Sequence, residues 1–463
     1  MTPSRGRTIL AIILAAAALL RVALLLAALP RGSGALFTPD SHDYDQLARS
    51  LLDRGEFSRF ADGRPELFRT PGYPLFVAGV YALSGRSPWA VALVQIGLDV
   101  LVCYLVYRMG RRAWSQRAGL LAAGLQAVSP AAIVSSVRLL SEQLFTLMLM
   151  LAVTLLAGHF IRAPRGEQKG HGESPLDARK RAASILRPLA AGLLLGLGCM
   201  VRPAGLPLIA LGSAVLLAGP RRWASAGVFL AGGLVAVLPW LARNAVEAGY
   251  PHISGVADYN LFYCNALGLA EREPQLPLTP RQQELASLAQ EPNWPPMEKI
   301  NDPRFLAEIG RQGRQIILAH PLAYARMHLR TTLNVFLPAA TDVLEVAGLT
   351  SGNKGTLAVL RKDGLRAASE HYFAGNGWAI WLALPMALIC AGRILLGLIG
   401  LAAGAFRPTR LWALLAVIVL YFVLSPGPVA HARFRVPIEP VFSLLAAGLF
   451  ISHEQREQEK QDV

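Results

Sequence analysis

Three aspartates, Asp40, Asp43 and Asp45, follow within a few residues of a long apolar stretch at the start of the chain. From Ser41 onward, Tyr44, Leu47, Ala48, Leu51 and Leu52 recur at the spacing of one face of an amphipathic helix. That pattern predicts a helix with Asp40 at its N-cap, Asp43 at its third position and Gly55 just past its end. On structural grounds alone Asp40 caps the helix and Asp43 favours its dipole. Their place at the edge of a membrane segment adds a second role, since a lipid-linked substrate meets a carboxylate there. Glu142 stands at the entry to a later apolar segment. Arg69, Arg138, Arg202, Arg433 and Arg435 lie at ends of apolar segments away from the main basic runs. A guanidinium so placed is costly to desolvate and binds phosphate in a two-pronged manner.

A second stretch, "RTPGYPLFVAGVYALSG" from Arg69 to Gly85, predicts another interfacial helix. Thr70 is its expected cap, Pro71 suits the first turn, and Tyr73, Phe76, Val80 and Leu83 share a face. Arg69 stands at its outer edge.

The elements that must hold these residues are membrane spans. The 463-residue chain is 53% hydrophobic and 16% charged, with a mean hydropathy of +0.40, whereas soluble proteins are about 25% charged. Its net charge of +15 sits in short runs between apolar segments, which points to a membrane and not to nucleic acid. Ten candidate spans follow: Thr8–Leu29, Trp89–Arg108, Ala118–Val134, Leu139–Ile161, Leu186–Val201, Gly205–Gly219, Ala224–Leu241, Trp378–Leu401, Leu411–Leu424 and Val436–Ile451. The first is too long an apolar run for a cleaved signal core of about 7–15 residues. Of four cysteines, Cys103, Cys199 and Cys390 lie in apolar runs and only Cys264 in a polar loop, which excludes a disulfide framework and a zinc-type pair.

With ten spans, "SRGR", "RMGRRAWSQR", the 162–183 linker, "GPRRW" and "FRPTR" all fall on one side. That side is cytoplasmic by the positive-inside rule, so both termini are expected in the cytoplasm. The expected organisation is an N-terminal transmembrane unit, 1–241, whose first outer loop is 30–88. An outer-face lobe at 242–377, C-terminal spans at 378–452 and a cytoplasmic tail at 453–463 complete it. Within the lobe, the basic amphipathic stretch after Asp302 is expected to lie along the membrane surface.

In sequence, "DSxxY…LA" followed by "RTPGYPLF" resembles the first outer loop of integral-membrane glycosyltransferases of the GT-C fold. The similarity is to glycosyltransferase family 39, with its protein mannosyltransferases, aminoarabinose transferases and rhizobial core glycosyltransferases. "VRLLSEQLFTLMLMLAVTLL", "GLGCMVRPAGLPL" and "HARFRVPIEPVFSLLAAGL" extend the resemblance over the first 240 residues and the last 60. It implies an all-α polytopic fold and a polyprenyl-phosphate-linked sugar as donor. It also implies an acid of the first outer loop, here Asp40, as base. Many relatives carry two adjacent acids at this place; here the pattern is Asp40–Ser41 with Asp43 one turn on. A divalent metal beside Asp40 stays open on that comparison.

Such a transfer needs a base for the acceptor hydroxyl, negative charge beside an oxocarbenium-like centre and positive charge for the departing phosphate. The candidate catalytic residues are Asp40 and Glu142. The candidate substrate-binding residues are Asp43, Tyr44, Arg69, Tyr73, Arg202, Arg433 and Arg435. No metal ligand is assigned, because His42 and His431 have no partner at metal-type spacing. Arg21, inside the first span, is left open between phosphate binding and intrahelical packing. The acceptor is expected to be a lipid, a glycan or a protein of the envelope, with the active site on the outer face of the cytoplasmic membrane. The competing reading is a transporter or lipid flippase, which would show internal repeats and ionisable groups at the midplane of several spans.

Overall fold

The computed structural model describes residues 3–161, 175–219, 222–289, 297–350, 356–373, 375–404 and 409–461. Most of the 162–183 linker lies outside the described residues. Helices make up the fold, and no strand occurs among the described residues. The first half comprises α1 (Pro3–Ala28), α2 (Pro39–Arg54), α3 (Gly72–Ser84), α4 (Pro88–Ala113), α5 (Gln116–Ala127), α6 (Pro130–Val137), α7 (Glu142–Ile161), α8 (Pro175–Val201), α9 (Leu206–Leu217) and α10 (Arg222–Ala248). The second half includes α11 (Pro303–Ala319), α12 (Pro321–Thr332), α13 (Ala340–Val346), α14 (Ile380–Ala402), α15 (Thr409–Leu424) and α16 (Glu439–Gln461).

Among the described residues, six helical segments are long and apolar enough to cross a membrane, and α5 with α6 forms a seventh if the pair, bent by 57°, is one span. The other three expected spans differ for a physical reason. At about 1.5 Å per residue, α9 and α15 fall short of an apolar core about 30 Å thick. The last, α16, runs on from its apolar first half into the polar sequence that ends at Gln461.

The bend between α5 and α6 frees backbone carbonyls, and buried polar groups answer them. Arg21 on α1 donates to the Ala127 carbonyl at 2.9 Å and pairs with Asp99 on α4. Arg21 therefore clamps α1 to α4 and α5, and it also donates to the Ala17 carbonyl of its own helix at 2.8 Å. A second sealed cluster joins Arg393 of α14 and Arg435 to Glu439 of α16, at 2.7 and 2.6 Å. Ser129, in the α5–α6 break, donates to the same carboxylate at 3.0 Å.

Segments from the 242–377 region form a second apolar cluster, with Phe262, Leu285 and Ile309 packed around Leu67 and Phe68 of the first loop. The stretch after Asp302 is two helices broken before Pro321, because proline removes a donor and clashes inside a helix. The apolar face of α11, Leu306, Ile309 and Ile316, is buried in this cluster. The expectation that it lies on the membrane surface is thus corrected for α11; α12 still exposes Leu322 and Leu329.

Candidate active site

The first turn of α2 is fixed by a reciprocal cap that does not use Asp40. The Thr38 N–H donates to Ser41 Oγ at 2.9 Å, and Ser41 Oγ donates to the Leu139 carbonyl at 2.8 Å. Pro39 occupies the first helical position, as its fixed φ favours, so the cap is Thr38 and Asp40 is one residue inside the helix. The expected cap role of Asp40 is corrected, and its carboxylate is left for other partners.

Those partners are arginines from distant segments. Asp40 Oδ1 accepts from Arg69 Nη2 at 2.7 Å, and its Oδ2 accepts from Arg433 Nη2. Arg69 also donates through Nε to Asp43 at 2.8 Å. Asp43 accepts from Arg59 at 2.7 Å, and Arg59 forks onto Glu66 at 2.6 and 3.0 Å. On the other side, Arg433 Nε lies 3.0 Å from Glu142 Oε1, and Arg202 Nη1 lies 2.8 Å from the same oxygen.

The result is a continuous alternating row: Glu66, Arg59, Asp43, Arg69, Asp40, Arg433, Glu142, Arg202. Four cations face four anions, so the row is formally neutral. Its ends are closed, with the Glu66 side chain 0% exposed. Its middle is open, with the Asp40 and Arg433 side chains 24% and 29% exposed. Glu142 is fully buried, and its Oε2 accepts no hydrogen bond.

Burial alone would push the Asp40 carboxyl upward, but the charges of Arg69 and Arg433 and hydrogen bonds from both outweigh it. The group is held well below the usual carboxylate range. Burial would lower Arg433, yet Glu142 and Asp40 hold it protonated. Burial also raises the Tyr44 hydroxyl.

Aromatic rings keep the guanidinium groups in place. Arg69 lies 5.3 Å from the Tyr44 ring centre and 5.0 Å from that of Phe68. Phe434 lies between Arg202 and Arg433, at 5.4 and 5.6 Å. Such contacts are worth about 0.5–2 kcal/mol each. Gly72 sets the approach of α3 to α8: a methyl group at its α-carbon would come within 2.7 Å of the Met200 backbone. That contact brings the start of α3, which follows Arg69, against the end of α8, which leads into Arg202.

Asp40, Asp43, Tyr44, Arg69, Glu142, Arg202 and Arg433 are thus brought together. Two candidates are not. Arg435 is fully buried in the Glu439 cluster and also donates to the Leu337 carbonyl at 3.1 Å. Tyr73 is fully buried, and its hydroxyl donates to Gln95 at 2.6 Å, so it supports Tyr44 from behind. The expected cap and face of α3 also change. Pro71 precedes the helix, and its buried side is Tyr73, Val77 and Tyr81, while Leu83 is 92% exposed. Arg138 pairs with Glu345 at 2.9 Å beside the row. The sequence reasoning missed Arg59 and Glu66; their one signal is a second Arg–acid spacing inside the loop "SRFADGRPELFR".

The residues present do not fit a divalent metal in this arrangement. Both oxygens of Asp40 and both of Asp43 already accept from arginines. No group of three or more His, Cys, Asp or Glu side chains suited to a metal occurs among the described residues.

The family model described as dolichyl-phosphate-mannose-protein mannosyltransferase matches residues 68–166. No curated protein matches the chain. Among solved structures, the apo oligosaccharyltransferase of Archaeoglobus fulgidus aligns with TM-score 0.51 and 16% identity, covering 99% of this chain and 52% of that one. The same enzyme tethered to an acceptor peptide containing the NVT sequon gives 0.50 and 15%, covering 98% and 50%. ArnT from Cupriavidus metallidurans bound to undecaprenyl phosphate gives 0.39 and 15%, covering 94% and 77%. The chain thus spans about half the length of the archaeal enzyme it matches. The spans and the shared architecture make this chain a multi-pass membrane protein of the GT-C fold.

Proposed function

We propose that the protein is an inverting membrane glycosyltransferase that moves a sugar from a polyprenyl-phosphate donor to an envelope acceptor. The site would face the outer side of the cytoplasmic membrane, and the acceptor would be a glycolipid, polysaccharide or protein. The observation that carries this reading is the bridge of Asp40 between Arg69 and Arg433 at the open middle of the charged row. The family description at 68–166 names a polyprenyl-phosphate sugar as donor, and the row supplies the charges such a donor needs.

In this reading, the acceptor oxygen attacks the anomeric carbon while its proton passes to Asp40. The bond from the anomeric carbon to the phosphate oxygen breaks, and the polyprenyl phosphate leaves with its electron pair. Arg433 and Arg69 hold the departing charge. One displacement inverts the anomeric centre. Glu142 and Arg202 position Arg433 from below.

Self-neutralisation of the row gives this chemistry an order. While both arginines hold Asp40, its carboxylate is a weak base, and a useful base has a pKa nearer the working pH. A phosphate arriving at Arg433 competes with Asp40 for the same guanidinium. Asp40 is released towards the acceptor and becomes more basic as the donor binds. The base is therefore armed by the donor.

Mass spectrometry of envelope lipids and glycans from cells with and without the protein tests this function. A glycoform that vanishes with the protein, and returns with the wild type but not with Asp40→Asn, is expected. Unchanged envelope glycans would sink the reading.

A further inference from the structure

A second cavity, of about 550 Å³, lies between α4, α7 and α8 at the other end of the bundle. Glu142 and Gly158 both belong to α7, and their sixteen-residue separation is about 24 Å along a helix axis. The cavity is therefore separate from the charged row, and this inference is independent of the proposed transfer reaction.

Its walls are apolar: Leu105, Leu151, Leu155 and Leu194. Arg108, Arg112 and Arg187 also line it, and no carboxylate is among its described lining residues. Arg187 is drawn inward and donates to the Gly158 carbonyl at 2.5 Å. A guanidinium carries five N–H donors, so one such bond leaves others for a ligand. Orientation bias would place arginines at this end of the spans. It does not require three of them to converge on one apolar hollow.

A hydrocarbon tail matches the leucine walls, and a phosphate matches three guanidinium groups. We propose that this cavity binds one anionic glycerophospholipid from the leaflet on the side of the basic runs. Its phosphate meets Arg108, Arg112 and Arg187, and an acyl chain lies along the leucines. Such a lipid would pin together α7, which starts at Glu142, and α8, which leads into Arg202.

The test uses the full chain, stripped of lipid and reconstituted in vesicles of phosphatidylcholine with or without phosphatidylglycerol. Native mass spectrometry then counts the lipid that stays bound. The wild type should retain one phosphatidylglycerol and no phosphatidylcholine. The triple variant Arg108→Gln, Arg112→Gln, Arg187→Gln should retain it about tenfold less. Thr154→Trp, which fills the cavity but keeps every arginine, should lose it as well; Leu155→Phe serves if that variant fails to fold. Equal retention of both lipids by the wild type, retention of neither, or undiminished retention by the filled variant overturns the proposal.

Discussion

Arg433 donates to Asp40 across 393 positions of sequence, tying the short helical segment just before α16 to the first outer loop. The same guanidinium reaches Glu142 at 3.0 Å, so one side chain joins the carboxylate proposed as base to the buried acid behind it. This double engagement makes Arg433 the natural point at which a phosphate enters the row.

Arg433→Ala should therefore weaken donor use, with KM for the donor rising more than tenfold and kcat falling too. Arg433→Lys should restore only part of this, since an ammonium keeps the charge and loses the two-pronged geometry. Steady-state kinetics with varied donor separates the two. A lysine variant equal to the wild type would remove the fork from the account.

Ser41 and Asp40 are neighbours with different duties. Ser41→Ala removes the Ser41 half of the reciprocal cap and the tie to Leu139, and should cost about 1 kcal/mol of stability while leaving turnover largely intact. Asp40→Asn should leave folding nearly unchanged and lower kcat by about 10²–10⁴-fold, the range that general-base catalysis contributes. Thermal unfolding and turnover measured on both variants check the pair. Reversed effects would return Asp40 to the role of a cap.

Arg59→Ala should be the most disruptive change in the row. It leaves Glu66 without its cation and Asp43 with Arg69 alone, and the two side chains are 0% and 8% exposed. Breaking a buried pair from one side costs about 3–5 kcal/mol. Loss of expression or a sharp drop in melting temperature is expected, and Arg59→Lys should recover less than half of it. An Arg59→Ala protein as stable as the wild type would mean that the closed end of the row does not hold the loop.

The pH dependence follows from the sign of the Asp40 shift. Its folded pKa is depressed, so its contribution to stability is present above the unfolded value and is lost only as pH falls through the folded one. Wild-type protein in detergent should show no loss from this group between pH 7 and pH 4. In Arg433→Ala the carboxyl is less strongly held, so the acid-dependent loss from this group should be smaller and complete at a higher pH. Melting temperature against pH for the two proteins checks this; coincident curves would contradict it.

Much of this was legible in the sequence for simple reasons. Apolar run length marks spans, and lone arginines away from the basic runs are costly enough to signal a site. Asp40, Glu142, Arg202 and Arg433 meet as expected. Other features were hidden by specific physics. Thr38 and Asp40 are both good caps, and the proline between them decides for Thr38. Helix α3 is apolar all round, so periodicity does not choose its buried face. Arg435 follows Arg433 by two residues in the 3₁₀ segment Ala432–Ile438, where three residues make a turn, so the two side chains diverge. Arg59 and Glu66 sit in a charged loop that reads as solvated until Asn301 closes over it, donating to the Pro65 carbonyl at 2.6 Å.

In the proposed function, the arginines around Asp40 receive a lipid-linked phosphate. Purified protein in liposomes, with an acceptor extract from the envelope, can be offered either a polyprenyl-phosphate sugar or the matching nucleotide sugar, each radiolabelled. Label should pass from the lipid-linked donor alone, with transfer abolished by Asp40→Asn and reduced by Arg433→Ala. Transfer from the soluble nucleotide sugar, with the lipid-linked donor ignored, would contradict the proposed function.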